Sequence, residues 1–125
     1  MTEPRARGLF QPIQATREAF ETDWIRDTLT VIGLMDLTRS TRHEISARTT
    51  ECTEHLRDLL ARDLGADQDA AILDLFRRAY EHLDLPRRPT ADTPAHEAFA
   101  YMRATAALTF ELLRLYVGQR QDPDR

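Results

Sequence analysis

With 125 residues, the chain is long enough for one domain with a buried core and too short for two independent domains. Its 42% hydrophobic and 30% charged residues are typical of a globular protein, and its formal net charge of −4 argues against a surface that is basic overall, as general nucleic-acid binding requires. The single cysteine, Cys52, excludes a disulfide within the chain, and no apolar leader is present, so we expect a cytoplasmic protein.

The first helix is predicted over residues 16–37, where apolar side chains recur every three or four positions. Thr16 is its expected N-cap, and the broad apolar stripe is expected to be buried. The stripe contains Phe20, Trp24, Ile25, Leu29, Val31, Ile32, Leu34, Met35 and Leu37. Residues 1–11 mix Pro, Arg and Gly without a period, which predicts a flexible, disordered N-terminal tail. Residues 121–125 are predicted to form a flexible C-terminus.

The second helix begins with the letters TRHE, in which Thr41 and Glu44 are spaced as a capping box. Gly65 predicts a left-handed residue at its C-terminal end. The expected core residues are Ile45, Cys52, Leu56, Leu59, Leu60 and Leu64. Two surface ion pairs are predicted on this helix from their spacing of four residues, Glu44 with Arg48 and Asp58 with Arg62.

The third helix is predicted to begin at Asp67, as N-cap, and to end at Pro86. Its expected buried residues are Ile72, Leu73, Phe76, Ala79, Tyr80 and Leu83. A proline-containing loop then leads to Thr93, the expected N-cap of the fourth helix, with Pro94 at the first helical position. The prediction is an all-α fold, an antiparallel bundle of four main helices that forms a single domain over residues 12–120.

The fourth helix has two apolar sides, and each side needs neighbours to cover it. Three amphipathic helices are too few to cover both sides with certainty, so we expect one side to contact a second copy or a helical protein partner. The predicted interface consists of Tyr101, Leu108, Leu112, Leu115 and, on the first helix, Trp24. Complete burial within one subunit is the alternative.

The sequence gives little support for a metal site or for a catalytic nucleophile. No His has a Glu three residues before it, as a di-iron bundle requires, and Cys52 with Glu51 and His55 provides three of the four ligands of a structural zinc site. Cys52 lies on the apolar stripe, which favours a buried thiol over a ligand or nucleophile. No nucleophile elbow or glycine-rich phosphate loop is present, so we predict no metal and no cofactor.

Two pairs of Arg and His, separated by four to six residues, are the candidate catalytic groups: Arg48 with His55, and Arg77 with His82. This spacing resembles the active-site motif of the HEPN family of all-helical ribonucleases. The resemblance implies that His acts as a general acid or base while Arg holds the scissile phosphate. Short motifs of this kind also arise by chance, and a solvated helix face is the alternative interpretation.

Arg77, Arg78, Arg87 and Arg88 form the main local concentration of positive charge and predict an anion-binding patch. The stretch YMRATAALTFELLRLY in the fourth helix is similar to the closing helix of the small subunits of type III CRISPR effector complexes, which implies contact with guide and target strands. Small-molecule binding between helices leaves no trace in a sequence and stays open.

The leading hypothesis is a bacterial, cytoplasmic adaptor, a non-enzymatic helical module that acts through protein contacts, self-associates as a homodimer and does not contact a membrane. The alternative is a helical protein that acts on nucleic acid, either a HEPN-like ribonuclease or a small RNA-guided effector subunit.

Overall fold

Four α-helices and one short 3₁₀ helix account for the regular structure of residues 21–121, the part of the chain that the computed structural model describes. Helix α1 covers residues 21–34, α2 covers Arg42–Leu60, α3 covers Ala70–His82 and α4 covers Ala95–Gln121, with the 3₁₀ helix at Leu85–Arg87. No strand occurs within this range, so the expected all-α, four-helix fold is confirmed. The antiparallel order and the domain boundaries stay predictions.

The predictions for Thr16, Phe20 and both chain ends fall outside the described residues.

Local capping chemistry determines where α2 begins. The hydroxyl of Thr41 accepts a hydrogen bond from the backbone N–H of Glu44 at 3.0 Å, and the Glu44 carboxylate accepts one from the N–H of Thr41 at 3.4 Å. Each side chain thus satisfies a backbone donor that the helix itself leaves without a partner, which confirms the predicted capping box. Arg62 lies 3.9 Å from Asp58, as predicted, whereas Glu44 is occupied at the cap and Arg48 pairs with Glu51 instead.

Helix α3 begins two residues later than the sequence suggested, because Asp69 rather than Asp67 is its N-cap. The Asp69 carboxylate accepts from the backbone N–H groups of Ala71 and Ile72. Residues 65–69 form a turn in which the N–H groups of Gln68 and Asp69 donate to the carbonyl of Gly65. Gly65 has a φ of 94°, so its left-handed conformation is confirmed, but it lies in this turn, beyond the end of α2.

Helices α3 and α4 also depart from their predicted ends. Helix α3 stops at His82, and Pro86 lies in the 3₁₀ helix that follows. The Thr93 hydroxyl accepts from the N–H of Thr90 at 2.8 Å, so it stabilises the loop before α4. The carbonyl of Pro94 accepts from the N–H of Ala98, which begins the helical hydrogen-bond pattern.

The core consists of two hydrophobic clusters that both span the contact between α2 and α4. The larger cluster joins all four helices through Ile25, Leu56, Leu59, Leu60, Leu64, Leu75, Phe76, Ala79, Leu83, Leu112, Leu113 and Tyr116. The smaller cluster joins α1, α2 and the first part of α4 through Ile32, Ile45, Cys52, Ala98 and Met102. Helix α4 is therefore covered on more than one side by its own chain.

Several apolar residues expected in the core are exposed. Helix α1 buries only a narrow stripe, so Val31 and Leu34 face solvent and Leu37 in the following turn is also exposed. Helix α3 buries Leu75, which was not expected, and exposes Leu73 and Tyr80. Both helices lie at the edge of the bundle and are covered by neighbours on one side only. Their apolar residues spread around more of the helix than this one side, so some of them stay exposed. None of the described helices has both the length and the hydropathy of a membrane-crossing segment.

A matched pair of leucine truncations tests the burial of α4. Leu112 is completely buried, so we expect Leu112→Ala to lower the free energy of unfolding by about 2–5 kcal/mol through lost packing and a residual cavity. Leu34 is 81% exposed, and Leu34→Ala is expected to change it by no more than about 0.5 kcal/mol. Urea unfolding followed by circular dichroism measures both values. Equal effects of the two substitutions would show that this core is wrongly assigned.

Candidate functional site

Arg48 and His55 lie on the side of α2 that faces α1, within a chain of polar contacts. A guanidinium nitrogen of Arg48 lies 3.1 Å from one carboxylate oxygen of Glu51. The other carboxylate oxygen accepts a hydrogen bond from the Thr28 hydroxyl at 3.1 Å, and that hydroxyl lies 3.1 Å from Nε2 of His55. The structure therefore brings Arg48 and His55 into one cluster, with Glu51 and Thr28 between them.

The His55 ring is 7% exposed and lies against the edge of the Trp24 indole, with ring centroids 5.1 Å apart. Burial lowers the pKa of His55, and the nearby carboxylates of Glu51, Asp58 and Glu54 oppose that shift. A neutral, shielded imidazole that is hydrogen-bonded between two helices is typical of a structural group. The geometry gives no open approach for a phosphate to this ring.

The second pair, Arg77 and His82, is not brought together. The His82 ring stacks on Tyr101 at 4.0 Å, and its Nε2 lies 2.7 Å from the Thr105 hydroxyl, so it links α3 to α4. Burial lowers the pKa of His82, and Arg87 lowers it further. Arg77 is exposed and lines a shallow cavity of about 440 Å³ together with Leu64 and Tyr80.

The four arginines of the predicted anion-binding patch do not surround one cavity. Arg77 lines the shallow cavity just described, and Arg78 pairs with Asp74 along α3 at 3.2 Å. Arg88 lines a different and larger cavity, and its Nε donates to the carbonyl of Leu83 at 2.7 Å. Arg87 is exposed in the 3₁₀ helix.

Cys52 is a buried thiol that faces α4. Its side chain is fully buried, and its sulfur lies 3.4 Å from the Thr109 hydroxyl. Burial raises the pKa of the thiol to about 11, so it is protonated at neutral pH. Cys52 contacts α4 while His55 contacts α1, and no three His, Cys, Asp or Glu side chains are arranged around a common metal position within residues 21–121.

The side of α4 that was assigned to a partner lies against the same chain. Leu112 is completely buried, and Leu108 and Leu115 pack against the larger hydrophobic cluster. The Tyr101 hydroxyl donates to the carbonyl of His82 at 2.7 Å, which fixes it to the end of α3. Leu112 thus has no surface left for a partner, whereas Tyr101, Leu108 and Leu115 are half-buried, and the interface itself stays a prediction.

Exposed apolar side chains are found on α1 instead. Trp24 is 51% exposed, Val31 43% and Leu34 81%, and we call these three residues the α1 strip. On the other flank of α1, a groove of about 420 Å³ separates it from α4 and is bordered by Leu29, Val117 and the exposed ring of Phe110. Of the predicted interface residues, Trp24 alone belongs to this surface.

A cavity of about 580 Å³, which the sequence patterns did not predict, lies on the side of α2 that faces away from α1. A stripe of polar side chains lines it at spacings of three and four residues, Arg42, Ser46, Thr49, Thr53 and Arg57. Because residues at these spacings share one side of a helix, the stripe could have been identified in the sequence.

Comparisons of the chain with protein-family models, with curated proteins and with solved structures found no match in any of the three.

We expect stability to fall as the pH drops below 6.5, the ordinary pKa of histidine. The pKa values of His55 and His82 are lowered in the folded state, so below pH 6.5 the unfolded chain binds protons that the folded chain does not. The contribution of the two neutral histidines to the free energy of unfolding is fully present above pH 6.5. It is lost as the pH falls toward the lowered pKa values of the folded protein. Urea unfolding at several pH values measures it.

The control for this experiment is His43, which is exposed on α2. His55→Gln and His82→Gln should each flatten the dependence of the unfolding free energy on pH, and His43→Gln should leave it as in the wild type. Equal flattening by all three substitutions would contradict the assignment to the two shielded rings.

Cys52 is expected to resist thiol reagents in the folded protein and to react promptly in denaturant, because its thiol is both buried and protonated. Absorbance of the released chromophore of a disulfide reagent follows the reaction. In a Ser46→Cys variant, which places a thiol at an exposed position of the same helix, one additional group should react rapidly. Rapid labelling of the native wild type would exclude the buried thiol.

Proposed function

We propose that this chain is a non-enzymatic helical interaction module that acts through protein contacts, associates with a second copy of itself and serves as an adaptor in the bacterial cytoplasm. The α1 strip is the observation that carries this proposal. A free, protonated Cys52 with no second cysteine suits a reducing compartment.

The three residues of the α1 strip lie along one flank of their helix. Trp24, Val31 and Leu34 are separated by seven and three residues, so their side chains project in similar directions over about 15 Å of helix. Large apolar residues that are grouped in this way are typical of contact surfaces, whereas isolated exposed apolar residues are ordinary. Burying the strip against a partner removes apolar area from water at no cost to the core.

Trp24 has the properties of an interface anchor. Its indole edge contacts the buried ring of His55, and half of its surface remains exposed. A large aromatic side chain that is already held in place loses little conformational freedom when a partner covers it.

A second copy suits this surface because α1 carries exposed charges of both signs. The charged groups of Asp23 and Arg26 are 4.0 Å apart on α1, and Arg26 also lines the groove that faces α4. Both charges are more than half exposed and belong to one helix, so a two-fold pairing of α1 with α1 offers each of them an opposite charge on the other copy. A strongly acidic or strongly basic partner gains no such match.

Association is tested by analytical ultracentrifugation of the full chain. The wild type should sediment as a dimer, and Val31→Glu combined with Leu34→Glu should shift it to a monomer because like charges then face each other in the strip. Leu85→Glu is the matched control, since Leu85 is 76% exposed in the 3₁₀ helix, outside the strip. Circular dichroism verifies that both variants keep their helices.

A monomeric wild type, or dissociation that is equally caused by Leu85→Glu, would contradict the proposal. A gel-shift assay addresses the alternative class. If the wild type retards or degrades RNA at low salt and His55→Ala abolishes that activity in a folded variant, the ribonuclease hypothesis replaces the interaction module.

A further inference from the structure

The cavity beside α2 has the size of a small-molecule site. It measures about 580 Å³ and lies between α2, the linker that precedes α4 and the first turns of α4. Pockets that bind metabolites commonly fall between about 300 and 1,000 Å³. The α1 strip is on the opposite flank of α2, so this cavity is independent of the proposed association.

The charge of the lining differs in sign from that of the whole chain. Three arginines, Arg42, Arg57 and Arg88, line the cavity with one carboxylate, Glu54, which gives a formal sum of three minus one, or +2. The whole chain carries −4. Positive groups are therefore concentrated around this cavity on an acidic protein, which favours an anionic ligand.

Two of the three guanidinium groups are held in place by backbone carbonyls. Arg42 donates through its two terminal nitrogens to the carbonyls of Thr90 and Thr93. Its Nε is buried and has no acceptor among the described residues. Arg88 donates through Nε to the carbonyl of Leu83, so its terminal nitrogens are oriented before a ligand arrives.

Arg57 is the third group and has no hydrogen bond or ion pair with another described residue. Arg57, Arg88 and Tyr101 all line the cavity. Burial raises the pKa of the Tyr101 hydroxyl, and the positive charges of Arg88 and Arg57 both oppose the shift. Two positive charges thus lie on the lining of one cavity. Guanidinium groups at such a place bind phosphate through paired N–H donors.

The hydroxyl groups along α2 provide the remaining polar contacts. Ser46, Thr50 and Thr53 line the cavity at spacings of four and three residues, and their side chains make no hydrogen bond with another described residue. Thr49, by contrast, donates to the carbonyl of Ile45 within the helix. Free hydroxyls and one carboxylate suit a ligand with hydroxyl or amino groups of its own.

We propose that this cavity binds a small phosphorylated molecule, a phosphate monoester whose phosphate contacts Arg57 and Arg88 and whose polar remainder lies along Ser46, Thr50 and Thr53. Glu54 accepts hydrogen bonds from that remainder. A cavity of about 580 Å³ has the size for one small molecule, which favours such a ligand over a strand of RNA.

Isothermal titration of the full chain tests the proposal with three phosphorylated probes: adenosine 5′-monophosphate, ribose 5-phosphate and glycerol 3-phosphate. At least one of them should bind, and it should bind more tightly than inorganic phosphate and than its own dephosphorylated form. Arg57→Gln is expected to weaken the binding about tenfold through the loss of one charge-assisted contact. The side chain of Arg57 is exposed and its guanidinium group has no hydrogen bond to a described residue, so this variant keeps its fold.

Arg78→Gln is the matched control, because it removes the same charge from an exposed arginine that is paired with Asp74 on α3, outside the cavity. Its affinity for the probe should equal that of the wild type. The proposal is overturned if none of the three probes binds, if the dephosphorylated form or inorganic phosphate binds equally well, or if Arg78→Gln weakens binding as much as Arg57→Gln. Tighter binding of an RNA oligonucleotide than of every small probe also overturns it.

Discussion

The packing of α2 against α4 is the contact on which the rest of the structure depends. Both hydrophobic clusters span it, and its centre contains side chains that are completely buried, among them Leu56, Cys52, Met102 and Leu112. Two threonines of α4, Thr105 and Thr109, are also fully buried there, and each donates its hydroxyl to a carbonyl one turn earlier in the helix. Such internal hydrogen bonds satisfy the hydroxyl donors of polar side chains that lie in an apolar contact.

Helices α1 and α3 attach to this pair through polar contacts as well as apolar ones. The hydroxyl of Thr28 connects α1 to Glu51 and His55 of α2, and the ring of His82 connects α3 to Thr105 and Tyr101 of α4. In each case a histidine side chain lies at a helix contact, where His55 is buried and His82 is half-buried. The Arg and His spacing that resembles a nuclease motif therefore coincides with two places where the fold itself uses a partly buried imidazole.

Sequence patterns predicted the features that depend on residues close together in the chain. The capping box of Thr41 and Glu44 needs only four consecutive residues, and it was confirmed. Asp67 and Asp69 are both residues that commonly cap the N-terminus of a helix. The turn at Gly65 makes Asp69 the N-cap, and the preference for Asp at this position does not by itself distinguish the two. Leu73 and Leu75 are equally apolar, so only the position of α3 against its neighbours decides that Leu75 is buried.

The site predictions had the same limit. A surplus of apolar residues on α4 was evident in the sequence, but which helix covers Leu112 is a property of the assembled bundle. The presence of Arg57 and Arg88 in the lining of one cavity depends on the path of the linker, since the two residues are far apart in sequence and on different elements. The polar stripe along α2, by contrast, follows helical spacing and was accessible in principle.

The two hydrogen bonds of Arg42 have a consequence for the mobility of the linker. They attach the carbonyls of Thr90 and Thr93 to the first turn of α2, about fifty positions away along the chain. Residues 84–94 contain three prolines, Pro86, Pro89 and Pro94, which restrict the backbone without anchoring it to anything. The guanidinium group of a distant helix thus anchors a segment that is also held by local hydrogen bonds, and it lowers the conformational entropy that this segment would otherwise retain.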